Sequence, residues 1–481
     1  MLNILPDRHW MPSLSSAPSH HQLQARFGER YKWLALLVVG LGTIAGVLAT
    51  TSFSVAIPAL ARHFGLGQDR VQWAITGFMT AMTVAMLPTP WLLECFGLRR
   101  VLLVGVTTLG ISSLLGSISP SFAIVVACRI VQGLAAGVLQ PLGTIVVLRL
   151  FPTAIQGRAS GILGFGIVLA PAAAPSLGGL LLDRFGWSSI VLLSLPFCLL
   201  AAVLGHLLLP TPEHNQRKPF DWNSLIFLSI ATLALIECIA TLQQGGSTAW
   251  WTWLNGAAAV LAMAAFVRHA RRHATPLVEL GLLGERTFLL GVVVSFSYGF
   301  GLYASTYLIP VFLQNVLGYT ASASGLALLP AGIVLAVIIP LAGHLADRYP
   351  PKWITAGGLA LFALSFLMFA WLGGRISHAE LIATTIIGRL GLGLVLPALS
   401  LATMRHLSAH QLGQSSMITS YMRQVGGVIG IAIAAVFVEW RESIYGHTTQ
   451  GIDAAYAEGF LLVAALFAIA LFAASGMKKQ P

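Results

Sequence analysis

Charge is what this chain has least of. Only 9% of its 481 residues are Asp, Glu, Lys or Arg, against about 25% in water-soluble domains. With 57% apolar residues and a mean hydropathy of +0.83, a single water-soluble globule is excluded. Cysteine is scarce too. Cys95, Cys128, Cys198 and Cys238 lie far apart with no CxxC pair, which removes a zinc site and a disulfide framework. They read as buried free thiols. Acids number 16 against 27 bases, giving a net charge of +11 and a pI near 9.9. No long basic cluster accompanies that excess, so nucleic acid is not an expected partner. In membrane chains positive charge gathers in cytoplasmic loops. No nucleophile–base pair stands out, and neither His20-His21 nor the other loop histidines have ligand spacing. Catalytic residues, a metal and a cofactor are therefore not expected.

In place of charge there are long apolar runs. A helix needs roughly 20 apolar residues to cross a bilayer. Fourteen runs approach or exceed that length, near 33–60, 71–93, 101–119, 121–149, 158–182, 189–209, 222–243, 251–267, 288–314, 323–345, 353–373, 381–403, 415–438 and 460–476. Only helices satisfy their own backbone hydrogen bonds in lipid, so the expected fold is an all-α polytopic membrane protein. With the N-terminus inside, Lys and Arg are about four times as frequent on the cytoplasmic side as on the outer side. Trp33, Trp73, Trp91, Trp187, Trp222, Trp250, Trp251, Trp253, Trp353, Trp371 and Trp440 fall near span ends, as interfacial anchors do. Residues 1–32, polar and rich in Pro, Ser and His, read as a disordered cytoplasmic tail. They do not resemble a signal peptide, because the apolar run from Trp33 starts late and is too long for an h-region.

An internal repeat is visible. PTPWLLECFGLRR, from Pro88, resembles PLAGHLADRYPPK, from Pro340; Arg129 with Gly133 is echoed by Arg389 with Gly393. Two six-helix halves, 33–209 and 288–481, separated by two additional helices within 210–287, would produce it. Repeated halves flanking a midplane site are a transporter architecture. In the repeated run the residues suited to gating are Glu94, Gly97, Arg99 and Arg100 in one half, and Gly343, Asp347, Arg348 and Lys352 in the other. An ordinary charged loop is the alternative. RIVQGLAAG, from Arg129, buries a guanidinium that should face a polar cavity or a partner, or else bond carbonyl oxygens structurally. Gln132 shares its face, and Gly133 with Gly137 offers a close-packing face. The fifth span concentrates Gly161, Gly166, Pro171, Pro175, Gly178 and Gly179, which predicts a tightly packed hinge.

These runs carry a resemblance. RIVQGLAAG, APSLGG and GHLADR look like signatures of the major facilitator superfamily. FDWNSL at Phe220, TPLVELGLL at Thr275, FLQNVLGY at Phe312 and RQVGGVIG at Arg423 resemble its fourteen-helix drug:proton antiporters, over about residues 33–476. The resemblance implies a central cavity, with Thr51, Ser54, Arg129, Gln132, Gln140, Tyr298, Tyr303, Tyr307, Arg389, Tyr421, Arg423 and Gln424 as substrate-cavity or coupling candidates; each could equally be helix–helix glue. The chain departs from the family pattern at Ala49, where an acid is usual, and at Ser54, Pro90, Glu94, Cys95 and Ala174.

The resemblance implies proton-driven efflux of drugs or other small amphipathic molecules by a monomer in the bacterial inner membrane, both termini cytoplasmic. Its expected partners are a small-molecule substrate, protons, the lipid bilayer and an outer-membrane efflux complex. A metabolite, peptide or siderophore transporter of the same fold, and more remotely a membrane-embedded enzyme or receptor, stay open at this point.

Overall fold

The computed structural model describes residues 26–210, 219–245, 250–273, 276–408, 411–446 and 448–477. Most of the tail expected at 1–32 lies outside them, but its last residues are helical, and Tyr31, 5% exposed, opens the first long helix. Among the described residues every regular element is a helix. The first group is α1 (Tyr31–Thr51), α2 (Phe53–Phe64), α3 (Gln68–Ala85), α4 (Thr89–Ser117), α5 (Phe122–Leu139), α6 (Leu142–Leu150), α7 (Gln156–Phe185), α8 (Trp187–Leu192) and α9 (Leu195–Leu208). A middle pair follows, α10 (Trp222–Gly245) and α11 (Trp250–Ala270). The last group is α12 (Leu280–Gly284), α13 (Arg286–Asn315), α14 (Ala321–Arg348), α15 (Pro351–Leu372), α16 (His378–Met404), α17 (Gln411–Tyr445) and α18 (Thr449–Ser475).

Twelve helices among the described residues are long and apolar enough to cross a membrane, where fourteen were expected. The spans at 71–93 and 158–182 are the two not among them. On α3 the apolar stretch is short, Trp73–Ala85, because the chain turns at Met86–Pro88 instead of running to residue 93. The other lies on the 30-residue helix α7, several of whose side chains are outside the described set. Proline explains further interruptions: Pro141 separates α5 from α6, and Pro196 sits in the first turn of α9.

Each group builds its own core. Leu36, Val39, Phe78, Leu102, Val106 and Leu139 belong to one; Phe312, Phe362, Phe366, Phe460 and Phe467 belong to the other. Large apolar side chains such as Val104, Ile111, Val260, Leu326, Val337 and Phe472 point outward, a patch far larger than a soluble protein tolerates and one that suits lipid. Trp73, Trp222, Trp253, Trp353 and Trp371 are exposed with them. Helix α10 packs on α11 and reaches both groups, touching α3 on one side and α17 on the other.

The start of the middle pair is fastened by Asp221. Its carboxylate accepts hydrogen bonds from the Ser224 N–H at 3.0 Å and the Leu277 N–H at 3.2 Å, and pairs with His269 Nε2 at 2.9 Å. Burial alone would raise its pKa, but the bonds from Ser224, His269 and Leu277 outweigh that and hold it below the usual carboxylate range. His273 completes a cluster whose ligand-capable atoms lie within 4.8 Å of one another. Both Asp221 oxygens already accept protein hydrogen bonds, so the cluster works as a fastening.

Both described ends of the chain lie on one face. Trp33 packs edge-on against Phe151 with centroids 4.8 Å apart, and Lys352 donates to the Ser475 and Met477 carbonyls at 2.9 and 2.8 Å. We call this the terminal face.

Candidate functional site

The described contacts between the two groups gather at the terminal face. Gly157 and Gly343 approach so closely that a Cβ on either would lie 2.2 Å from the other's carbonyl oxygen. Gly161 packs on the Ile339–Pro340 backbone in the same seam. The approach lets Asp347 reach across to the start of α7, where its two oxygens accept the Gly157 and Arg158 N–H groups at 2.6 and 2.8 Å. A carboxylate at a helix N-terminus is favoured by the unpaired N–H groups and the helix dipole. Arg405 lies 3.5 Å from Asp347 and donates to the Thr153 carbonyl at 2.8 Å, tying α16 to the same point. Ser416 donates to the Pro141 carbonyl at 3.2 Å, linking α17 to the α5–α6 break.

The two repeated runs therefore act differently. In the last group Asp347 crosses the seam and Lys352 binds the chain's end, while Arg348 is exposed. In the first group Gly97, at φ 74°, makes the turn within α4. Arg99 is buried in its own group, 3.2 Å from His206 Nδ1, and Arg100 is exposed. Glu94 is half-buried.

Deeper in the first group, Arg129 is 2% exposed. The glycine face of α5 puts it there: a Cβ on Gly133 or Gly137 would lie 2.3 or 2.2 Å from the Phe78 or Met82 carbonyl oxygen. One turn before Gly133, Arg129 donates to the Ala49 carbonyl and to Gln132 Oε1, both at 2.8 Å, and to the Ala74 carbonyl at 3.4 Å. The rings of Phe53 and Phe78 flank it at 4.2 and 4.1 Å. Gln132 passes the network to Ser113 at 3.0 Å, and Ser113 to Ser194 at 3.3 Å. Among the described residues no carboxylate pairs with Arg129. Instead a main-chain oxygen of Ala49, the position where the resembling family has an acid, takes one of its protons. A guanidinium at mid-membrane costs about 2.5–3.5 kcal/mol; two desolvated cation–π contacts of about 2 kcal/mol each are enough to offset it.

The last group is arranged otherwise. Gly299 sits where a Cβ would lie 1.9 Å from the Arg423 carbonyl oxygen, and Gly426 and Gly430 pack on the Phe296 and Phe300 carbonyls. This backbone contact between α13 and α17 brings Arg423 beside Tyr298 and Tyr303, whose ring lies over Gly427. Arg389, from α16, joins them: both arginines act electrostatically on Tyr298. Tyr298 is buried, whereas Arg389, Arg423 and Tyr303 keep partial exposure.

The remaining expected residues scatter. Tyr421 shares a 2.6 Å hydrogen bond with Thr232 and so holds α10 to α17. Tyr307 lies toward Glu439 and Glu442. Gln424 is buried with no partner for its Nε2, Gln140 is half-buried, and Thr51 donates to the Val47 carbonyl at 3.0 Å. On α7, Gly166 packs on Ile44 and Gly178 is buried. Ser54, Pro171, Pro175 and Gly179 lie outside the described side chains. Sequence reasoning missed Phe53, Phe78, Gly157 and Arg405; their partners are distant in the chain, and no local signal marks them.

The Major Facilitator Superfamily profile matches residues 39–431. Multidrug resistance protein Stp of Mycobacterium tuberculosis (strain CDC 1551 / Oshkosh) is 30% identical over 414 residues, covering 86% of this chain and 77% of that protein. Lincomycin resistance protein LmrB of Bacillus subtilis (strain 168) is 25% identical over 430 residues, 89% of this chain and 90% of that protein. Among solved structures, the human organic anion transporter MFSD10 (TETRAN) aligns with a TM-score of 0.66 over 92% of this chain and 99% of that one. At 18% identity that likeness shows the fold alone.

Proposed function

The chain belongs to the major facilitator superfamily, a family of membrane transporters, and from that premise we propose that it exports small amphipathic molecules by alternating access. Relatives named for multidrug and lincomycin resistance support the direction. The observation that carries the mechanism is the seam at the terminal face, where Asp347 bonds the start of α7 across two glycines. Bonds that hold one face shut while the buried polar groups lie deeper are what an alternating-access cycle makes and breaks. In this reading the terminal face is cytoplasmic, the membrane is the bacterial inner membrane, α3 and α7 supply the further two of fourteen spans, and the chain works as a monomer. An uptake screen on purified protein in liposomes tests the reading; accumulation of a single metabolite, peptide or siderophore and of no drug would replace it with the specific-transporter alternative.

The topology has its own test. A reporter fused after Gly476 should behave as cytoplasmic, and one between Gly246 and Thr248 as external. Both on the same side would break the fourteen-span arrangement.

Proton coupling is the weakest point of the family resemblance, because Ala49 offers Arg129 only its carbonyl. Glu237, on α10, is half-buried and lies on one of the two middle helices. We expect Glu237→Gln to leave transport intact, and Ala49→Asp to raise export of cationic substrates several-fold under a pH gradient. Inverted vesicles energised by a pH gradient or by a potential alone separate the outcomes; loss of coupling in Glu237→Gln would put α10 on the proton path.

A further inference from the structure

Three arginines, Arg129, Arg389 and Arg423, lie far from the ends of their helices, and they are treated in two ways. Arg129 is enclosed: carbonyls and an amide oxygen take its Nε and Nη1 protons and two aromatic faces flank it, although its Nη2 has no hydrogen-bond partner among the described residues. Arg389 and Arg423 have no such shell. Among the described residues neither guanidinium has a hydrogen-bond or carboxylate partner, and the groups found beside them are the two tyrosines, Tyr298 and Tyr303. Both arginines remain partly exposed although each lies far from its helix ends. The glycine contacts fix this geometry, since the Arg423 main chain is pressed on Gly299 and Tyr303 on Gly427. Of the acids on these elements, Glu380 is bonded to Ser377 at the start of α16, and Glu439 and Glu442 act on Tyr307, further along α13.

Two guanidiniums that both act on Tyr298 and have no partner of their own among the described residues are poorly solvated in the membrane, so an anion bound there relieves them. From this we infer that Arg389 and Arg423, framed by Tyr298 and Tyr303, receive the acidic group of the transported molecule, a carboxylate or sulfonate carried on a planar apolar body. Guanidinium forks match such oxyanions in a bidentate fashion, and tyrosine rings give the apolar body a surface to lie on. The inference rests on the export reading only for the direction of travel. It also fits Ala49: an inside-negative potential drives an anion outward, so such an exporter needs no proton-carrying acid at that position.

Binding tests this apart from transport. The chain is placed in nanodiscs of neutral phosphatidylcholine with three fluorescent probes of one shape, 1-pyrenebutyrate, its methyl ester and 1-pyrenebutylamine. Wild-type protein should bind the acid about tenfold more tightly than the ester or the amine, the worth of one charge-assisted contact. Arg389→Gln and Arg423→Gln should each remove most of that preference while leaving ester binding unchanged, and Arg423→Lys should restore part of it. Retained ester binding shows that the variants are folded; if either Gln variant loses it, the Lys variants of both positions and Tyr303→Phe, which should weaken acid binding alone, decide the matter. Equal binding of acid and ester, no binding of any probe, or full preference in the Gln variants overturns the inference. Acid binding without export in liposomes would sink the export reading and leave this site standing.

Discussion

Gly157→Val and Gly343→Val should each abolish transport while leaving the protein in the membrane. A Cβ at either position would sit 2.2 Å from a main-chain oxygen of the opposite group, and at Gly157 also 2.6 Å from Asp347 Oδ1. Backbone cannot swing aside as a flexible side chain can, so the seam must open by an ångström or more. That separation breaks the hydrogen bonds of 2.6 and 2.8 Å from the Gly157 and Arg158 N–H groups to Asp347. Each bond to a charged group is worth about 1.5–3 kcal/mol. Losing both destabilises the closed state by about 3–6 kcal/mol, cutting its population relative to the open state by roughly a hundredfold or more. Asp347→Asn keeps the size but loses the charge and replaces one of the two accepting oxygens by an NH2 that cannot accept a main-chain N–H, and should cost about tenfold or more. Pulsed electron paramagnetic resonance between spin labels at the exposed positions Ala154 and Tyr349 reads the seam directly. An unchanged distance distribution in Gly157→Val would remove the seam from the cycle.

Some of this arrangement is written locally in the chain and some is not. The helical, membrane-spanning character follows from apolar runs alone, and Gly133 with Gly137 announces a close contact at the spacing of one turn. Asp347 is conspicuous because acids are so few. What it binds is not conspicuous: main-chain N–H groups at Gly157 and Arg158 look like any others, and Arg405 reads as an ordinary loop cation until the fold brings it 3.5 Å from the carboxylate. Tyr421 looks like its neighbours in the candidate cavity, yet its hydroxyl is spent on Thr232. Aromatic residues mislead most. In an apolar helix Phe53 and Phe78 are indistinguishable from lipid-facing residues, and only tertiary packing of α2 and α3 around α5 turns them into a clamp. The far bound of the span at 71–93 is not legible for a different reason: hydropathy does not register the turn at Met86–Pro88.

That clamp supports the second large effect. Arg129→Ala should eliminate transport and yet change stability little, because two opposed quantities leave together. The substitution removes a mid-membrane charge costing about 2.5–3.5 kcal/mol, and with it two cation–π contacts of about 2 kcal/mol each. These nearly cancel, leaving the lost hydrogen bonds to Ala49, Ala74 and Gln132 Oε1 as the residual cost, so membrane abundance should stay close to wild type and melting temperature should fall only modestly. Transport should not survive, since Arg129 is where α1, α3 and α5 meet through the carbonyls of Ala49 and Ala74 and the Gln132–Ser113–Ser194 chain. Removing a ring instead leaves the charge in place with less around it. Phe78→Leu should therefore destabilise the protein more than Arg129→Ala does, although leucine is a mild change of volume for phenylalanine. In the double variant most of that penalty should vanish, giving a coupling of about 1–2 kcal/mol in a double-mutant cycle. Thermal unfolding of the four proteins in one detergent measures it, alongside transport in vesicles. Additive losses would mean that the rings merely fill space, and wild-type transport by Arg129→Ala would reduce the arginine to a structural bond between helices.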